Sequence, residues 1–286
     1  MKVGIVPINV SVRGHEDIIA LVTKAEEVGL ESLWTFEHTI VPVEYKSRYP
    51  YSPQGKMGAT PETVFVDPLI ALSFAAAHSK TLKLATGVNI LPQANPLLLA
   101  KQAASIDFVS QGRLLLGLGT GWLREEYEAL GTPFERRGAR FDDYIVAMKK
   151  IWSGEVVEHQ SEYLRWTNFK SFPLPVQRPH PPLIIGGSTK PAVRRVVQHG
   201  QGWFIPGSSP DQLRKQIAEM HAVCHEHGRD PAEIELTAMW PYAMMPDVLP
   251  RYEELGIARV VVMITALGTS NPIEGLEKLG NHLAKR

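Results

Sequence analysis

The chain has 286 residues with 30 basic against 30 acidic side chains, so it is long enough to bury its own core and carries no net charge to hold a polyanion such as nucleic acid. A single cysteine, Cys224, excludes a disulfide framework and any CxxC metal or redox pair, which fits a reducing cytosol. The apolar start stops at Pro7, and no apolar run approaches the ~20 residues that span a bilayer, so the expectation is a cytoplasmic protein with no membrane partner.

Strand and helix patterns alternate along the chain. Residues 3–8 read as a buried strand. Ile18, Leu21, Val22, Ala25 and Val28 then recur at helical spacing behind the acidic pair Glu16-Asp17, with Gly29 as the stop. Residues 33–36 read as strand two, 69–77 as a helix, and 82–90 as strand three. Asn95-Pro96 supplies an N-cap and a first-turn proline for a helix running to about Ser110. The unbroken apolar run 114–118 suits a parallel strand covered on both faces, and a helix spans about 134–152.

Residues 153–181 interrupt this rhythm. Val156-Val157 and Tyr163-Leu164 flank Gln160-Ser161, which predicts a small hairpin, and a proline-rich stretch follows. The segment reads as an insertion because the alternation then resumes. Strands are expected at 183–185, 203–205, 234–240 and 260–264. Helices are expected at 191–198, after Ser209-Pro210 (Leu213, Ile217, Met220), at 248–255 and through Ile273, Leu276, Leu279 and Leu283. Eight strand–helix units predict one α/β domain over 1–286, a (β/α)8 TIM barrel with an insertion before strand five and a long loop after strand two. The rival is a doubly wound open sheet. Its dinucleotide fingerprint needs a third glycine where Gly117-x-Gly119-x-x-Trp122 has tryptophan.

A TIM barrel binds ligands at the C-terminal ends of its strands. After strand two stand Glu37 and His38, an ionisable pair suited to proton transfer, though equally an ordinary loop pair. Strand three ends in Gly87-Val88-Asn89, where the glycine marks a bulge, a close backbone approach or a packing contact. Strand four leads into Thr120-Gly121-Trp122, a ligand-facing turn or a tight connection over a core tryptophan. Gly186-Gly187-Ser188-Thr189 opens a helix and suits a phosphate, with simple capping as the alternative. His221, Cys224, His225 and His227 cluster on an outer helix, where complementing the helix dipole explains them better than a metal does.

Taken in order, these segments resemble the bacterial luciferase-like monooxygenase superfamily, most closely its coenzyme F420 (deazaflavin)-dependent oxidoreductases. The matching residues are Trp34-Thr35-Phe36-Glu37-His38, Leu84-Ala85-Thr86-Gly87-Val88, Asn95-Pro96, Gly112-Arg113-Leu114, Gly117-Leu118-Gly119-Thr120-Gly121-Trp122, Pro182-Leu183-Ile184-Ile185-Gly186-Gly187 and Gly202-Trp203-Phe204. The resemblance covers residues 1 to about 265. It implies a non-proline cis peptide at Gly87-Val88 behind the cofactor ring, and Glu37 and His38 near the ring's reacting edge. It also implies cofactor tail or phosphate contacts from Thr120 and Gly121 and from Gly186, Gly187 and Ser188. Asn89, which could hydrogen-bond a ring edge, Trp122, which could pack on a ring, and Thr189 at the helix start complete the expected cofactor-binding set from their own positions. Deazaflavin sugar-phosphate dehydrogenases carry a glutamate where this chain has Trp122, which argues against that substrate.

The expectation is therefore hydride transfer between F420 and a small organic substrate, by a homodimer, with loop 39–65 as a lid. An FMN-dependent monooxygenase served by a reductase partner is the alternative within the fold. A cofactor-free barrel hydrolase using Glu37 and Glu125, or a binding protein without catalysis, are the alternatives outside it.

Overall fold

The computed structural model describes residues 1–207 and 209–285. The chain runs β1 (Lys2–Val6), α1 (His15–Glu27), β2 (Ser32–Thr35), α2 (Pro68–Ala77), β3 (Lys83–Thr86), β4 (Asn89–Ile90), α3 (Pro96–Val109) and β5 (Leu114–Gly119). It continues through α4 (Arg124–Ala129), α5 (Arg137–Trp152), the antiparallel hairpin β6 (Val157–Gln160) and β7 (Arg165–Phe169), β8 (Leu183–Gly186) and α6 (Lys190–His199). The remainder is β9 (Gly202–Ile205), α7 (Pro210–Glu226), β10 (Glu235–Trp240), α8 (Leu249–Glu254), β11 (Ile257–Met263) and α9 (Pro272–Leu283).

The barrel strands pair in parallel in the order β3-β2-β1-β11-β10-β9-β8-β5, and Leu84 and Ala85 of β3 meet Leu114 and Leu115 of β5 to close the ring. Closure removes the sheet edges that an open sheet would have to protect. Alternate residues of each strand point inward. Val6, Trp34, Ala85, Leu115, Ile184 and Val261 form an interior cluster separate from the larger core between strands and helices. The helices start where side chains satisfy their first N–H groups. Asp67 Oδ1 accepts from Leu69 N and Ile70 N, Asn95 Oδ1 from Leu97 N and Leu98 N, and Ser209 Oγ from Gln212 N, each followed by proline.

Three elements differ from the sequence reading. The first strand ends at Val6, because Pro7 has no N–H to extend the ladder. The expected strand 82–90 is split at Gly87-Val88. Ala85 pairs with Leu115 but Asn89 with Leu118, so this strand carries one extra residue, a bulge. The expected helix 134–152 starts at Arg137, and the short α4 before it was not foreseen; its Arg-Glu-Glu start reads as plain surface charge. No helix among the described residues is long and apolar enough to cross a membrane.

Candidate functional site

The bulge lies at the C-terminal end of β3, and the Gly87–Val88 peptide is cis. Glycines on the neighbouring strands make room for it. A Cβ on Gly119 would stand 2.5 Å from Val88 Cγ2, and one on Gly186 2.9 Å from Val88 Cγ1, so together they form a trough for the valine side chain. Gly87 itself packs beside Trp34 and Phe204, where a Cβ would come within 3.1 and 3.2 Å. The result is an apolar shelf of Gly87 and Val88 facing a cavity of about 1150 Å³.

Glu37 holds this shelf from behind. Its Oε1 accepts from Asn89 Nδ2 at 2.9 Å, and its Oε2 accepts from Ile90 N–H. Burial pushes the Glu37 carboxyl up to about 7, with the charges of Glu126 and Asp67 adding to the rise against the two hydrogen bonds. A raised carboxyl pKa means that the folded state prefers the protonated form. The linked stability is therefore fully present below about pH 4.5 and lost as pH rises through about 7. At about 1.4 kcal/mol per unit, this amounts to about 3 kcal/mol. Urea unfolding at pH 4 and pH 8 should show Glu37→Gln losing about that much less stability over the interval than the parent. An identical pH dependence in the two proteins would remove Glu37 as the source.

His38 faces a second carboxylate. Its Nδ1 lies 3.2 Å from Glu126 Oε2, while Glu126 Oε1 accepts from Thr39 N at 2.6 Å and Ile40 N at 3.3 Å. Glu126 is only 2% exposed, and its neighbours all donate to it. Facing a carboxylate, Nδ1 carries the proton, which leaves Nε2 as the second, chemically available nitrogen. The imidazole also sits edge-on to Phe65 and Trp122, with ring centroids at 5.4 and 6.1 Å.

The segment 39–65 folds back on itself over the cavity. Met57 N donates to the Tyr45 hydroxyl at 3.1 Å, Lys56 sits over the Tyr45 ring, and Tyr49 and Gly55 form a backbone turn. Tyr49, Tyr51, Met57 and Phe65 line the cavity from this side. Helix α4 pins the segment down. Glu125 Oε1 accepts from Lys46 N at 2.6 Å and Ser47 N at 3.2 Å, and Ser47 Oγ accepts from Arg124 N at 3.0 Å. Burial would raise the Glu125 carboxyl, but these hydrogen bonds outweigh it and hold the group down at about 2.

Of the residues expected at the site, Glu37, His38, Gly87, Val88 and Trp122 line the one cavity. Asn89 lies behind its wall, turned toward Glu37. Thr120 and Gly121 do not reach the wall; their carbonyls accept from the Tyr127 hydroxyl at 2.6 Å and Arg137 Nε at 3.3 Å. The turn Gly186, Gly187, Ser188 and Thr189 also lies outside it, at the start of α6. Gly187 takes φ +110 and its carbonyl accepts from the Trp203 indole at 2.8 Å, while Thr189 Oγ1 caps α6 through Ala192 N. Glu125 does not meet Glu37 across the cavity, so the structure does not bring the hydrolase pair together. On α7 the Cys224 thiol is buried 3.3 Å from the Met220 sulfur, and no metal-holding group of His, Cys, Asp or Glu occurs among the described residues.

Sequence reasoning missed Glu126 and Arg137. Arg137 donates to Gly121 O and its guanidinium lies 3.8 Å over the Phe134 ring, with no carboxylate at ion-pair distance among the described residues. Burial lowers its pKa, and the nearby guanidinium groups of Arg124 and Arg195 act in the same direction.

Residues 7–255 match the luciferase-like monooxygenase family. The chain belongs to that family. Its members are oxidoreductases and monooxygenases that depend on F420 or FMN, and this protein is one of these enzymes. It is 30% identical to an uncharacterized protein of Mycobacterium tuberculosis over 255 residues, 89% of this chain and 87% of that one. It is 31% identical over 157 residues to the FMNH(2)-dependent dimethylsulfone monooxygenase of Pseudomonas putida, covering 54% of this chain and 43% of that one. Among solved structures, the coenzyme F420 dependent tetrahydromethanopterin reductase from Methanopyrus kandleri superposes with a TM-score of 0.76 over 98% of this chain and 97% of its own, at 15% identity. That last likeness is one of fold.

Proposed function

We propose that this luciferase-like enzyme is a coenzyme F420-dependent oxidoreductase that moves a hydride between the deazaflavin and a small organic substrate. The observation that carries the proposal is the apolar Gly87-Val88 shelf facing the same cavity as His38, whose Nδ1 is held by buried Glu126. The cavity, at about 1150 Å³, exceeds the roughly 300–1,000 Å³ typical of ligand pockets and has room for a tricyclic ring and a substrate together. The shelf is flat and uncharged where a planar ring would rest, so the residues fit the cofactor. Arg137, without a carboxylate partner and beside Gly121, supports an anionic tail at the ends of β5 and β8, and Gly186-Gly187-Ser188-Thr189 would join it through backbone N–H groups.

A bound deazaflavin would supply the hydride chemistry. His38 would give or take the accompanying proton at Nε2. Glu126 would fix the imidazole tautomer, and Glu37 and Asn89 would hold the shelf in place. Loop 39–65 would exclude water from above. Ile70 of α2 and Leu98, Phe108 and Val109 of the adjacent α3 are exposed apolar side chains on neighbouring helices, which supports a homodimer.

The second reading, an FMN-dependent monooxygenase with a reductase partner, is favoured by the similarity to the Pseudomonas putida enzyme. Fluorescence titration with F420 and with FMN decides between them. F420 should bind about tenfold or more tightly than FMN, and Arg137→Ala should weaken F420 binding by about tenfold through loss of a charge-assisted contact. The opposite preference would move the assignment to the monooxygenase, and binding of neither would overturn both.

A further inference from the structure

The cavity has a charge pattern that restricts what can share it with the cofactor. On the lid side its wall is Tyr49, Tyr51, Met57, Phe65 and Trp122. These rings brace one another edge to face. Tyr49 meets Trp122 at 5.1 Å and Tyr51 at 5.4 Å, and Tyr45 supports Trp122 from outside the wall at 5.7 Å. They therefore form a fixed aromatic surface.

The permanent charges among the lining residues are Arg13 and Asp17; the other ionisable groups are Glu37, whose carboxyl burial pushes up to about 7, and His38. Each is already engaged. Arg13 Nε and Nη2 donate to Asp17 at 3.0 and 2.8 Å, and the Arg13 backbone N–H donates to the same carboxylate at 2.9 Å. Both Glu37 oxygens accept hydrogen bonds from the segment behind the shelf, and His38 Nδ1 faces Glu126. The lining includes no lysine and no second arginine. The permanent cation of the lining, Arg13, stands in solvent with its charge matched by Asp17, so an anion entering the space beneath would lose its water for little net attraction, and a cation would find aromatic faces but no free carboxylate.

We infer that the substrate half of the cavity takes a neutral, ring-bearing organic molecule of low polarity, and excludes carboxylates and phosphates. This rests on the proposed redox reading for its meaning as a substrate class, but it concerns the chain's own residues. On the lid side and at His38 the polar edges such a molecule would meet are those of Tyr49, Tyr51 and the imidazole, with the neutral side chains of Thr265, Thr269, Ser270 and Asn271 elsewhere in the lining, and its ring would lie against Trp122.

Calorimetric titration with three probes of matched ring size tests this: naphthol, naphthoate and the cation N-methylquinolinium, each with and without F420. Naphthol should bind about tenfold or more tightly than either ion. Trp122→Ala should weaken naphthol by about tenfold, and Tyr51→Leu, a change at an exposed position, by a smaller factor, both with unchanged circular dichroism. Equal or tighter binding of naphthoate or N-methylquinolinium would overturn the inference. So would absence of naphthol binding, or naphthol binding indifferent to both variants. Naphthol selectivity in a protein that fails to bind F420 would leave the inference standing and remove the cofactor assignment instead. Tight F420 binding with naphthoate preferred would do the reverse.

Discussion

Replacing His38 with alanine is expected to lower turnover by about 10²–10⁴-fold, the usual worth of a positioned acid or base, while cofactor affinity stays within a few-fold. The expectation follows from geometry. His38 lines the same cavity as the Gly87-Val88 shelf, and its Nδ1 is 3.2 Å from a carboxylate that is itself buried and fixed by two backbone N–H groups. Glu126→Gln separates proton handling from simple support. The amide oxygen can still accept from Thr39 and Ile40, but its nitrogen then presents a donor to His38 Nδ1. The imidazole is driven to the opposite tautomer, with Nε2 protonated. Nitrogen NMR of the imidazole should record that inversion, and turnover should fall by about 10–100-fold, the cost typical of losing an orienting partner. Full turnover in His38→Ala would end its catalytic role. An unchanged tautomer together with unchanged turnover in Glu126→Gln would reduce Glu126 to a clasp for residues 39 and 40.

The contrast between Glu37 and Glu126 explains what the sequence could and could not disclose. Glu37 and His38 were legible because an apolar strand ends in two ionisable side chains, and a barrel places such ends at its ligand face. Glu126 carries the more direct contact to the imidazole, yet it is 88 residues away on a six-residue helix, amid charges that read as solvated surface. Nothing local announces that its side chain turns inward. Pattern reading recovered the barrel itself, because β-strands covered on both faces leave long apolar runs and their helices leave a clear period. The interruption of strand three became visible only through family resemblance; a lone glycine within an apolar strand is equally a packing contact. The Gly186-Gly187 pair illustrates the opposite difficulty. One glycine clears the Val88 side chain and the other adopts φ +110, so both have structural reasons that hold with or without a phosphate nearby. The aromatic wall was half legible. Tyr49 and Tyr51 fall within the long loop expected to act as a lid, but Phe65 joins them only because residues 9–11 pair with 64–66 and bring the end of that loop back to the barrel.

The other large effect is expected at the opposite end of the barrel, away from the cavity. Arg259, at the start of β11 and 2% exposed, donates two hydrogen bonds to Glu31 at 2.7 and 2.8 Å and another to Glu235, which Lys2 also reaches. Burial pushes both carboxyls up, but the hydrogen bond and charge of Arg259 on Glu31, and the charges of Arg259 and Lys2 on Glu235, outweigh it and hold both below the usual carboxylate range. Arg259→Ala leaves two partly buried carboxylates without their shared partner, and should cost about 3–5 kcal/mol in urea unfolding at pH 7. The sign of the pH effect follows. Depressed carboxyl pKa values add stability above the unfolded values, and that stability is lost as pH falls through the folded ones. The variant forfeits this contribution, so its deficit should shrink toward pH 4, where protonation relieves the stranded charges. Combining Arg259→Met with Glu31→Leu and Glu235→Leu should recover much of the loss, because an apolar replacement removes the desolvation cost together with the attraction. A deficit independent of pH would instead assign the loss to the packing of the arginine stem against the strands. In either case the cavity and the cofactor affinity should be unaffected in variants that stay folded, since the ion pair closes the end of the barrel from which β10 and β11 begin and the shelf sits where β3 ends.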